Sequence, residues 1–567
     1  MIKDSFTKKL LEKRQIHNPS LVAFFLVLLL FILVYLFFGS RYNVNDDIAM
    51  SLWAQGRWLA PTPDPHLIFS HYFIGYTLKF FYEHFPSLPW YGLYLYVTVV
   101  VSYFIILRVL LFDANVLKFA LILALIGSSF FLFLAQVTFT FSAGLLTQAG
   151  IILLIHELVG PKKSIPLASY ICASCLVLSG FLVRGEASLS IIFLALPILC
   201  IIAWNMPEGA KLKILAAFSI QTIILIAAAA LLDTWYYKSN ANWASFAKYK
   251  WLVSQFNDFD RVHYNAATKW VFDRVGWSQT DFEIFRSAFY SNPGLFSLEK
   301  VSAIVKEFPF APSASIGSLI SELARCLSSD HFLQCALLLF FATQALVRGR
   351  KNLFVISVLS GSILIQFGCL LYVGRFIDRV YLPQLSFLSI TALCLTTRQP
   401  QITKPRIAIS LTCLLVLFGC LAGLIYPQEI ERSRSYTEWN SKLKTFVQDS
   451  TRPRSAIFLA WGTAFPWFLR PLDSLDPYPP LAIYGIGATT RSVYNERWSQ
   501  IFRIEDIYRD LIKRRDIFIF AAAGEIDLLS RYLREHYHED VSFERKDIGG
   551  LTVFQSAMPT RSPLSEK

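Results

Sequence analysis

The feature that most constrains this chain of 567 residues is a series of long apolar runs. Each run is about 18–22 residues long, and a helix needs about 20 apolar residues to cross roughly 30 Å of hydrocarbon. Charged residues make up only 16% of the sequence, against roughly 25% in soluble proteins. The sequence therefore predicts a mainly α-helical protein that crosses a membrane many times.

The first run, Leu21–Phe38, follows a basic N-terminal segment. It is longer than the apolar region of a cleaved signal peptide, and no small-residue cleavage site follows it. Positive charge beside a first span favours the cytoplasmic side of the membrane. We therefore expect a retained helix with the N-terminus in the cytoplasm.

Ten further runs are candidate spans: about 91–111, 117–136, 138–158, 165–183, 187–204, 213–232, 332–347, 353–373, 381–397 and 407–426. If their directions alternate, the connections on the inner side are short and basic, as at Lys162–Lys163 and Arg348–Lys351. Such a bias is typical of cytoplasmic loops. It predicts about eleven transmembrane helices within residues 1–426 and a C-terminus on the exterior face.

The segment His66–Phe85 is apolar but contains Lys79, Glu83 and several histidines. Ionisable groups are costly at membrane depth, and a span here would place every downstream basic connection outside. We therefore interpret this segment as a helix lying on the outer membrane surface, within a first exterior loop at about 40–90.

Two longer segments are expected on the exterior face. Residues 233–330 show the pattern of short amphipathic helices rather than strands. Residues 427–567 contain the candidate strands Ala456–Trp461, Ile517–Ala521, Val541–Phe543 and Leu551–Phe554 and a candidate helix, Glu525–Tyr537. This second segment predicts a small C-terminal α/β domain, periplasmic or extracellular.

Several classes of function are disfavoured. The net charge of +13 is concentrated in the expected cytoplasmic turns, so topology and anionic lipid explain it without a nucleic-acid partner. No phosphate-binding loop or zinc-finger pattern is present. The pair Cys172 and Cys175 lies in an apolar run without nearby histidine, which favours helix packing over a metal or redox site.

The candidate chemistry lies where polar residues meet the outer membrane surface. Asn45, Asp46 and Asp47 follow the first span directly. Two adjacent carboxylates partly screened from water can raise the pKa of one member, which suits a general base. The simpler interpretation is that Asn45 or Asp46 caps the N-terminus of the helix that follows. The two interpretations are compatible.

A second set of candidates is cationic. Arg184, with Glu186, ends the 165–183 run, and Arg375, with Arg379, ends the 353–373 run. Arginines are less expected at exterior span ends, and their guanidinium groups suit a phosphate. Internal ion pairs or anchoring to lipid headgroups explain them equally well.

The first exterior loop adds Arg57, His66, His71 and Lys79, which can hold an anion or simply extend to the headgroups. The two histidines are five residues apart, a poor spacing for a metal on one helical face. Polar residues inside the third and fourth runs are explained most simply by hydrogen bonds between helices, with a polar lining for a lipid-linked substrate as the alternative. These are Gln136, Thr138, Thr140, Thr147 and Gln148.

The arrangement resembles the GT-C superfamily of integral membrane glycosyltransferases, in particular its poorly characterised bacterial members. The resemblance is carried by the acidic motif Asn45–Asp47, the surface helix, the large second exterior loop and the C-terminal exterior domain. Gly180–Glu186 and Gly374–Arg379 also look like segments of such proteins. The resemblance implies a polyprenyl-phosphate-linked sugar as donor, an acceptor glycan, lipid or protein, and inverting transfer of a hexose or pentose. It also implies a location in a bacterial cytoplasmic (inner) membrane.

The resemblance also implies roles for single residues. Asp46 or Asp47 would activate the acceptor hydroxyl. The donor phosphate would be bound by Arg184, Arg375 or Arg379 with Arg57 and Lys79, beside pocket residues Asn45, Glu186 and His71. Some relatives bind a divalent cation, but no exterior metal cluster is evident in this sequence, so no metal is expected to be obligatory.

Three other classes remain open. A polymerase or ligase of lipid-linked glycans would share the lipid phosphate site but depend on loop arginines more than on the acidic pair. A transporter of lipid-linked glycans would place charge pairs near mid-membrane and often show internal repeats. A structural membrane protein would not need Asp46 and Asp47 at all.

Overall fold

The structure, a computed structural model, describes residues 18–557 apart from 115, 161–163, 207–208, 310–316, 318–319, 322–323, 326–348, 373–375, 396–422, 424, 451, 477 and 488. The expected spans at about 332–347 and 407–426 lie wholly or mostly outside the described residues. Arg375 and the last ten residues lie outside them too.

In chain order the helices are α1 (Pro19–Phe38), α2 (Asn45–Gln55), α3 (Tyr72–His84), α4 (Trp90–Leu111), α5 (Val116–Leu125), α6 (Phe131–Ala135), α7 (Phe139–Val159), α8 (Leu167–Val183), α9 (Gly185–Trp204), α10 (Ala210–Lys238), α11 (Ala241–Asn257), α12 (Lys269–Val275), α13 (Gln279–Arg286), α14 (Leu298–Glu307), α15 (Gly349–Tyr372), α16 (Asp378–Leu395), α17 (Tyr426–Gln448), α18 (Val493–Phe502), α19 (Ile507–Lys513) and α20 (Ala523–Tyr537). The strands are β1 (Arg41–Tyr42), β2 (Gln136–Val137), β3 (Ile457–Trp461), β4 (Ala482–Ile486), β5 (Ile517–Phe520), β6 (Phe543–Ile548) and β7 (Leu551–Ser556).

The mainly helical membrane fold is confirmed. Among the described residues, seven helices are long and apolar enough to cross a membrane, namely α1, α4, α5 continued through a π-turn into α6, α7, α9, α10 and α15. The expected runs at 165–183 and 381–397 form α8, a shorter apolar helix, and α16, which contains Pro383. The chain is a multi-pass membrane protein.

Helix α7 is the centre of the membrane region. It packs against α4, α8, α9 and α16, and almost all of its side chains are buried. Its contact with α8 is close because Gly180 has no side chain, and a Cβ there would lie 2.7 Å from the carbonyl oxygen of Ala143. Small residues at such contacts are the usual way for membrane helices to approach one another.

Helix α3 has the character expected of a surface helix, although it spans Tyr72–His84 rather than the whole of the predicted segment. Its side toward the protein buries Gly75, Leu78 and Tyr82. Its other side exposes Phe73 and Tyr76, together with Phe80, at helical spacing. Exposed aromatic side chains of this kind are typical of the membrane–water interface.

A small polar cluster joins strands β1 and β2 to the start of α17. Strands β1 and β2 pair in parallel, with Arg41 opposite Gln136. Arg41 forms an ion pair with Glu429 on α17, and both side chains are buried. Gln136 donates to both Glu429 oxygens at 3.1 Å and accepts from Asn43 at 2.8 Å. This polar cluster therefore fixes the chain just before the acidic motif.

The C-terminal segment forms the expected α/β domain. Its five-stranded sheet has the order β4-β3-β5-β7-β6, with β3, β4 and β5 parallel and β7 antiparallel to its neighbours. The predicted strands at β3, β5 and β7 are confirmed. Gly549 and Gly550 both have positive φ and form the tight turn between β6 and β7, a conformation that glycine adopts without strain.

One predicted strand of this domain is corrected, and three further elements were not predicted. The strand predicted at Val541–Phe543 begins only at Phe543 and continues to Ile548, because the chain first leaves α20 and packs Val541 against the core. Strand β4 and helices α18 and α19 were not predicted. Strand β4 follows a proline-rich stretch and includes Gly485, both of which weaken a strand pattern.

The second exterior segment contains the expected short helices, α11 to α14. Ser278 begins α13 with a complete capping box, and Asn240 caps α11. These helices share one hydrophobic core with the C-terminal domain, in which Phe285 and Phe289 contribute from one segment and Trp461 and Tyr508 from the other. We call the two segments together, residues 240–308 and 427–557, the outer unit.

The polar cluster predicts that a small substitution at Glu429 has a large effect on the stability of the protein. Glu429→Gln keeps the shape of the side chain but leaves the buried Arg41 without its counter-charge. We expect a loss of about 3–5 kcal/mol in the free energy of unfolding. The measurement is thermal unfolding of the purified protein in one detergent. Glu431→Gln, an exposed change on the same helix, is the matched control, and equal midpoints for the two variants would contradict the prediction.

Candidate functional site

Helix α2 begins at Asn45, so both acidic residues lie in its first turn. The N-cap is Val44, in an extended conformation and without a side-chain cap. The interpretation that Asn45 or Asp46 caps the helix is therefore wrong. Carboxylates in a first helical turn are still favoured by the helix dipole. Because adjacent helical positions point about 100° apart, the two carboxylates meet different surroundings.

Asp47 is fully buried. Its Oδ1 accepts a hydrogen bond from the hydroxyl of Tyr91 at 2.8 Å and another from the backbone N–H of Phe139 at 3.0 Å. Its Oδ2 has no well-formed hydrogen bond among the described residues, and the hydroxyl of the neighbouring Thr138 has none there either. Asp47 thus ties α2 to the starts of α4 and α7.

Burial raises the pKa of Asp47 to about 7. The nearby hydroxyl of Thr138 and the hydrogen bonds from Phe139 and Tyr91 lower the pKa and offset part of this rise, while the charge of Asp46 adds to it. Near neutral pH a large share of Asp47 is therefore protonated. Its position and its protonation suit a residue that fixes the loop rather than one that meets a substrate.

Asp46 is only partly buried and lies near a lysine from another element. Lys250, on α11, holds its Nζ 3.6 Å from the ring centroid of Phe69. Burial lowers the pKa of this ammonium group to about 8, and the charges of Asp46 and Asp258 oppose that change. Within the described part of the chain Lys250 makes no hydrogen bond or ion pair.

Arg184 supplies the second cation. It is the extended residue between α8 and α9, and its guanidinium lies 4.6 Å from the ring centroid of Phe139. Nη1 donates to the hydroxyl of Thr140 at 3.0 Å, and Nε lies 3.7 Å from the exposed carboxylate of Glu186. Its charge also acts on Lys250.

Two aromatic rings connect these groups. The centroids of Phe69 and Phe139 are 6.0 Å apart, with Lys250 over the first ring and Arg184 over the second. The backbone of Phe139 binds Asp47. We call this arrangement the acid–cation site; it consists of Asp46, Asp47, Phe69, Phe139, Arg184 and Lys250. It joins the first exterior loop, two span ends and the outer unit.

The sequence identified three of these residues, Asp46, Asp47 and Arg184, and missed Lys250. Lys250 lies in the stretch Lys248–Trp251, where two lysines alternate with aromatic residues on an amphipathic helix. No local signal distinguishes the exposed Lys248 from Lys250. The distinction appears only when α11 packs over the first exterior loop.

The other predicted site residues have different partners. Arg57 pairs with Asp476 of the outer unit at 3.0 Å, and Lys79 lies 3.6 Å from Glu83 on α3. Asn45 is exposed at the start of α2. The backbone N–H of Arg379 donates to the carboxylate of Asp378 at 2.7 Å, and Arg375 lies outside the described residues. The phosphate roles of these residues stay predictions.

His71 is the N-cap of α3. Its Nδ1 accepts from the backbone N–H of Phe73 at 3.1 Å, and its Nε2 donates to the carbonyl oxygen of Ala229 at 2.9 Å. Asp233 lies 3.9 Å away and accepts from the N–H of Tyr72. Both ring nitrogens are thus used to fix α3 on α10, so a pocket role for His71 finds no support in its contacts.

The polar residues of the third and fourth runs mostly bond between elements, as expected. Thr147 and Ser188 share a hydrogen bond of 2.8 Å between α7 and α9. Gln148 donates to the carbonyl oxygen of Pro383 on α16 at 2.9 Å. Thr140 accepts from Arg184, as described above.

Among the described residues, one group has the spacing of metal ligands: Asp281, Glu535 and His536. It belongs to the outer unit, on α13 and α20. Asp281 already accepts from His536 at 2.7 Å and from the backbone N–H of Ser278 at 2.8 Å. This group therefore serves to join the two segments of the outer unit.

An apolar cleft lies between α1 and α4. It has a volume of about 460 Å³ and an apolar lining that includes Phe24, Phe31, Val97 and Phe104, together with Leu472 of the outer unit. Its volume and apolar lining suit a hydrocarbon chain.

Neither models of known families nor curated proteins match this sequence. Among solved structures, the chain is similar to ArnT from Cupriavidus metallidurans in the apo state, with a TM-score of 0.40 and 13% identity over 94% of this chain and 97% of that one. It is also similar to ArnT from the same organism bound to undecaprenyl phosphate, with a TM-score of 0.36 and 11% identity over 94% and 98%. At such TM-scores the likeness carries no inference about this chain.

The raised pKa of Asp47 predicts how stability depends on pH. Between about pH 4 and 7 the folded protein keeps a proton that the unfolded chain has released, so stability falls as pH rises through this window. The side chain in Asp47→Asn cannot ionise. We therefore expect this variant to lose up to about 4 kcal/mol less of its free energy of unfolding than the wild type as the pH rises through this window. The measurement is the unfolding midpoint from pH 4.5 to 8.5. Asp46→Asn is the control; a fall unchanged in Asp47→Asn would contradict the prediction.

Proposed function

We propose that this protein is a membrane glycosyltransferase that moves a sugar from a polyprenyl-phosphate donor to an acceptor glycan, lipid or protein on the exterior face of the membrane. The GT-C resemblance of the sequence suggests this class of reaction. The acid–cation site supports it with suitable groups in one place. Asp46 can receive a proton and acts through space on Lys250, and Lys250 and Arg184 are cations that can receive a phosphate.

The observation that carries the proposal is the environment of Lys250. Its side chain is partly buried, its ammonium group lies over the face of Phe69, and it has no hydrogen-bonded partner among the described residues. A charge in such a place is costly unless an opposite charge meets it. Asp46 and Asp258 act on it only through space. A phosphate entering above the ring would complete this site.

The proposed reaction is a direct displacement. Asp46 accepts the proton of the acceptor hydroxyl, whose oxygen forms a bond to the anomeric carbon. The bond from that carbon to the phosphate oxygen breaks, and the electron pair leaves with the polyprenyl phosphate. Lys250 and Arg184 stabilise the charge that develops on the leaving phosphate, in a region of low dielectric where such contacts are strong. Attack opposite the leaving group inverts the anomeric centre.

The environments of the two carboxylates assign their roles. Asp46 is accessible and lies near Lys250, so it is proposed as the base. Asp47 is buried and holds Phe139, whose ring supports Arg184. Asp47 is therefore a positioning residue. We propose no obligatory metal, since the two cations perform the charge stabilisation that a metal would otherwise supply.

A direct test is release of polyprenyl phosphate from a panel of polyprenyl-phosphate sugars by the purified, EDTA-treated protein. We expect turnover with at least one donor and a loss of about 10²-fold or more in Asp46→Asn, since general-base catalysis contributes about that much. Asp47→Asn should keep most of the rate. No release with any donor by folded wild type, or full turnover in Asp46→Asn, would overturn the proposal.

The role of Lys250 has a control two residues away on the same helix. Lys250→Met keeps an apolar stem over Phe69 but removes the charge, and we expect a loss of about 10- to 100-fold in kcat/KM for the donor. Lys248→Met removes an exposed lysine from the same helix and should change kcat/KM by less than about twofold. Equal effects of the two variants would exclude Lys250 from the phosphate site.

A further inference from the structure

The chain that follows α2 lies against the outer unit rather than in solvent. The carbonyl oxygen of Trp58 accepts a hydrogen bond from the N–H of Ile483 at 2.9 Å, so the first exterior loop is bonded to the edge strand β4. Arg57 pairs with Asp476 at 3.0 Å. The N–H of Asp64 donates a hydrogen bond to the carbonyl oxygen of Trp53, within α2, at 3.0 Å. The loop thus connects α2 directly to the C-terminal domain.

Asp64 is the centre of this connection. It is buried, accepts from the backbone N–H of His66 at 2.9 Å and from its Nδ1 at 2.7 Å, and pairs with Arg497 of α18 at 2.7 Å. Burial alone would raise the pKa of Asp64, but the hydrogen bonds and charge of His66, with the charge of Arg497, lower it to about 2. The carboxylate is therefore ionised and fully engaged.

Aromatic contacts reinforce the same junction. Trp53 of α2 stacks on Tyr494 of α18 with ring centroids 5.1 Å apart. The hydroxyl of Tyr494 donates to the carbonyl oxygen of His66, whose ring stacks on Trp243 of α11 at 4.3 Å. Since α11 also carries Lys250, one junction orients the helix of the proposed base and the helix of the proposed phosphate cation.

We infer that the C-terminal domain acts as a brace for the active site, and that Arg497 is a positioning residue that sets the distance between Asp46 and Lys250 through Asp64. This inference rests on the proposed function. Arg497 touches no reacting group in it. Its contribution is to hold the first exterior loop, and with it α2, against α11, because a small displacement of a reacting group costs much of the rate.

The test compares Arg497→Ala and Arg497→Lys with Arg531→Ala in the full-length protein. Arg531 of α20 forms a more exposed pair, with Glu283 of α13 at 3.0 Å, and both partners belong to the outer unit. Two quantities are measured: kcat and KM for the donor, and hydrogen exchange of the backbone amides of residues 45–66. Asp64→Asn, which keeps the shape of the side chain, serves as a second variant if Arg497→Ala does not fold.

We expect Arg497→Ala to lower kcat roughly 10- to 100-fold with little change in KM, and to accelerate exchange in residues 45–66 about tenfold or more. Arg497→Lys should restore part of both, and Arg531→Ala should change neither. Unchanged exchange and kcat in Arg497→Ala, or the same changes in Arg531→Ala, would overturn the inference. If wild type shows no turnover, the proposed function fails, and exchange alone then decides whether Arg497 braces the loop.

Discussion

The buried ion pair between Arg41 and Glu429 is the constraint on which the region around the acidic motif depends. Strands β1 and β2 meet the start of α17 at this point and bring polar groups into a place from which water is largely excluded. Glu429 satisfies Arg41 and Gln136 at once, and it also pairs with the exposed Arg432. A buried pair of this kind adds little net stability compared with apolar packing, but it permits one arrangement and penalises others. The short segment from Arg41 to Asp47 is therefore held in one register relative to α7 and α17.

From that fixed point, two adjacent carboxylates reach different environments. Asp47 turns toward the membrane region, where Tyr91 and the backbone of Phe139 replace water, and its proton affinity rises accordingly. Asp46 is only partly buried, and its charge acts on Lys250. Helical geometry thus gives two adjacent carboxylates different surroundings, and in the proposed reaction Asp47 fixes the backbone while Asp46 acts as the base.

The sequence revealed those features that depend on local pattern or on the membrane. Apolar length predicted the spans, and the position of Asp46, Asp47 and Arg184 at span ends singled them out. Lys250 and Arg497 escaped notice because each is one basic residue on an amphipathic helix, and its role depends on packing between segments far apart in the chain. Arg57 and His71 carried equally good local signals, yet their contacts with Asp476 and Ala229 show how readily an interfacial cation or imidazole serves packing. The donor, the acceptor and the phosphate roles of Arg375 and Arg379 stay predictions.

The shared core of the outer unit has a consequence for how the protein is made. Trp461 and Tyr508 bond to Ser287 and Phe289, partners that lie 174 and 219 positions earlier in the chain. During synthesis the second exterior segment therefore emerges well before the domain that covers its apolar side. Contacts of such long sequence separation form late. Until they form, the apolar side of the second exterior segment is exposed and is prone to aggregate or to bind chaperones. Biogenesis of this protein thus has a vulnerable interval that ends only when the last strands have been synthesised and have packed against the earlier segment.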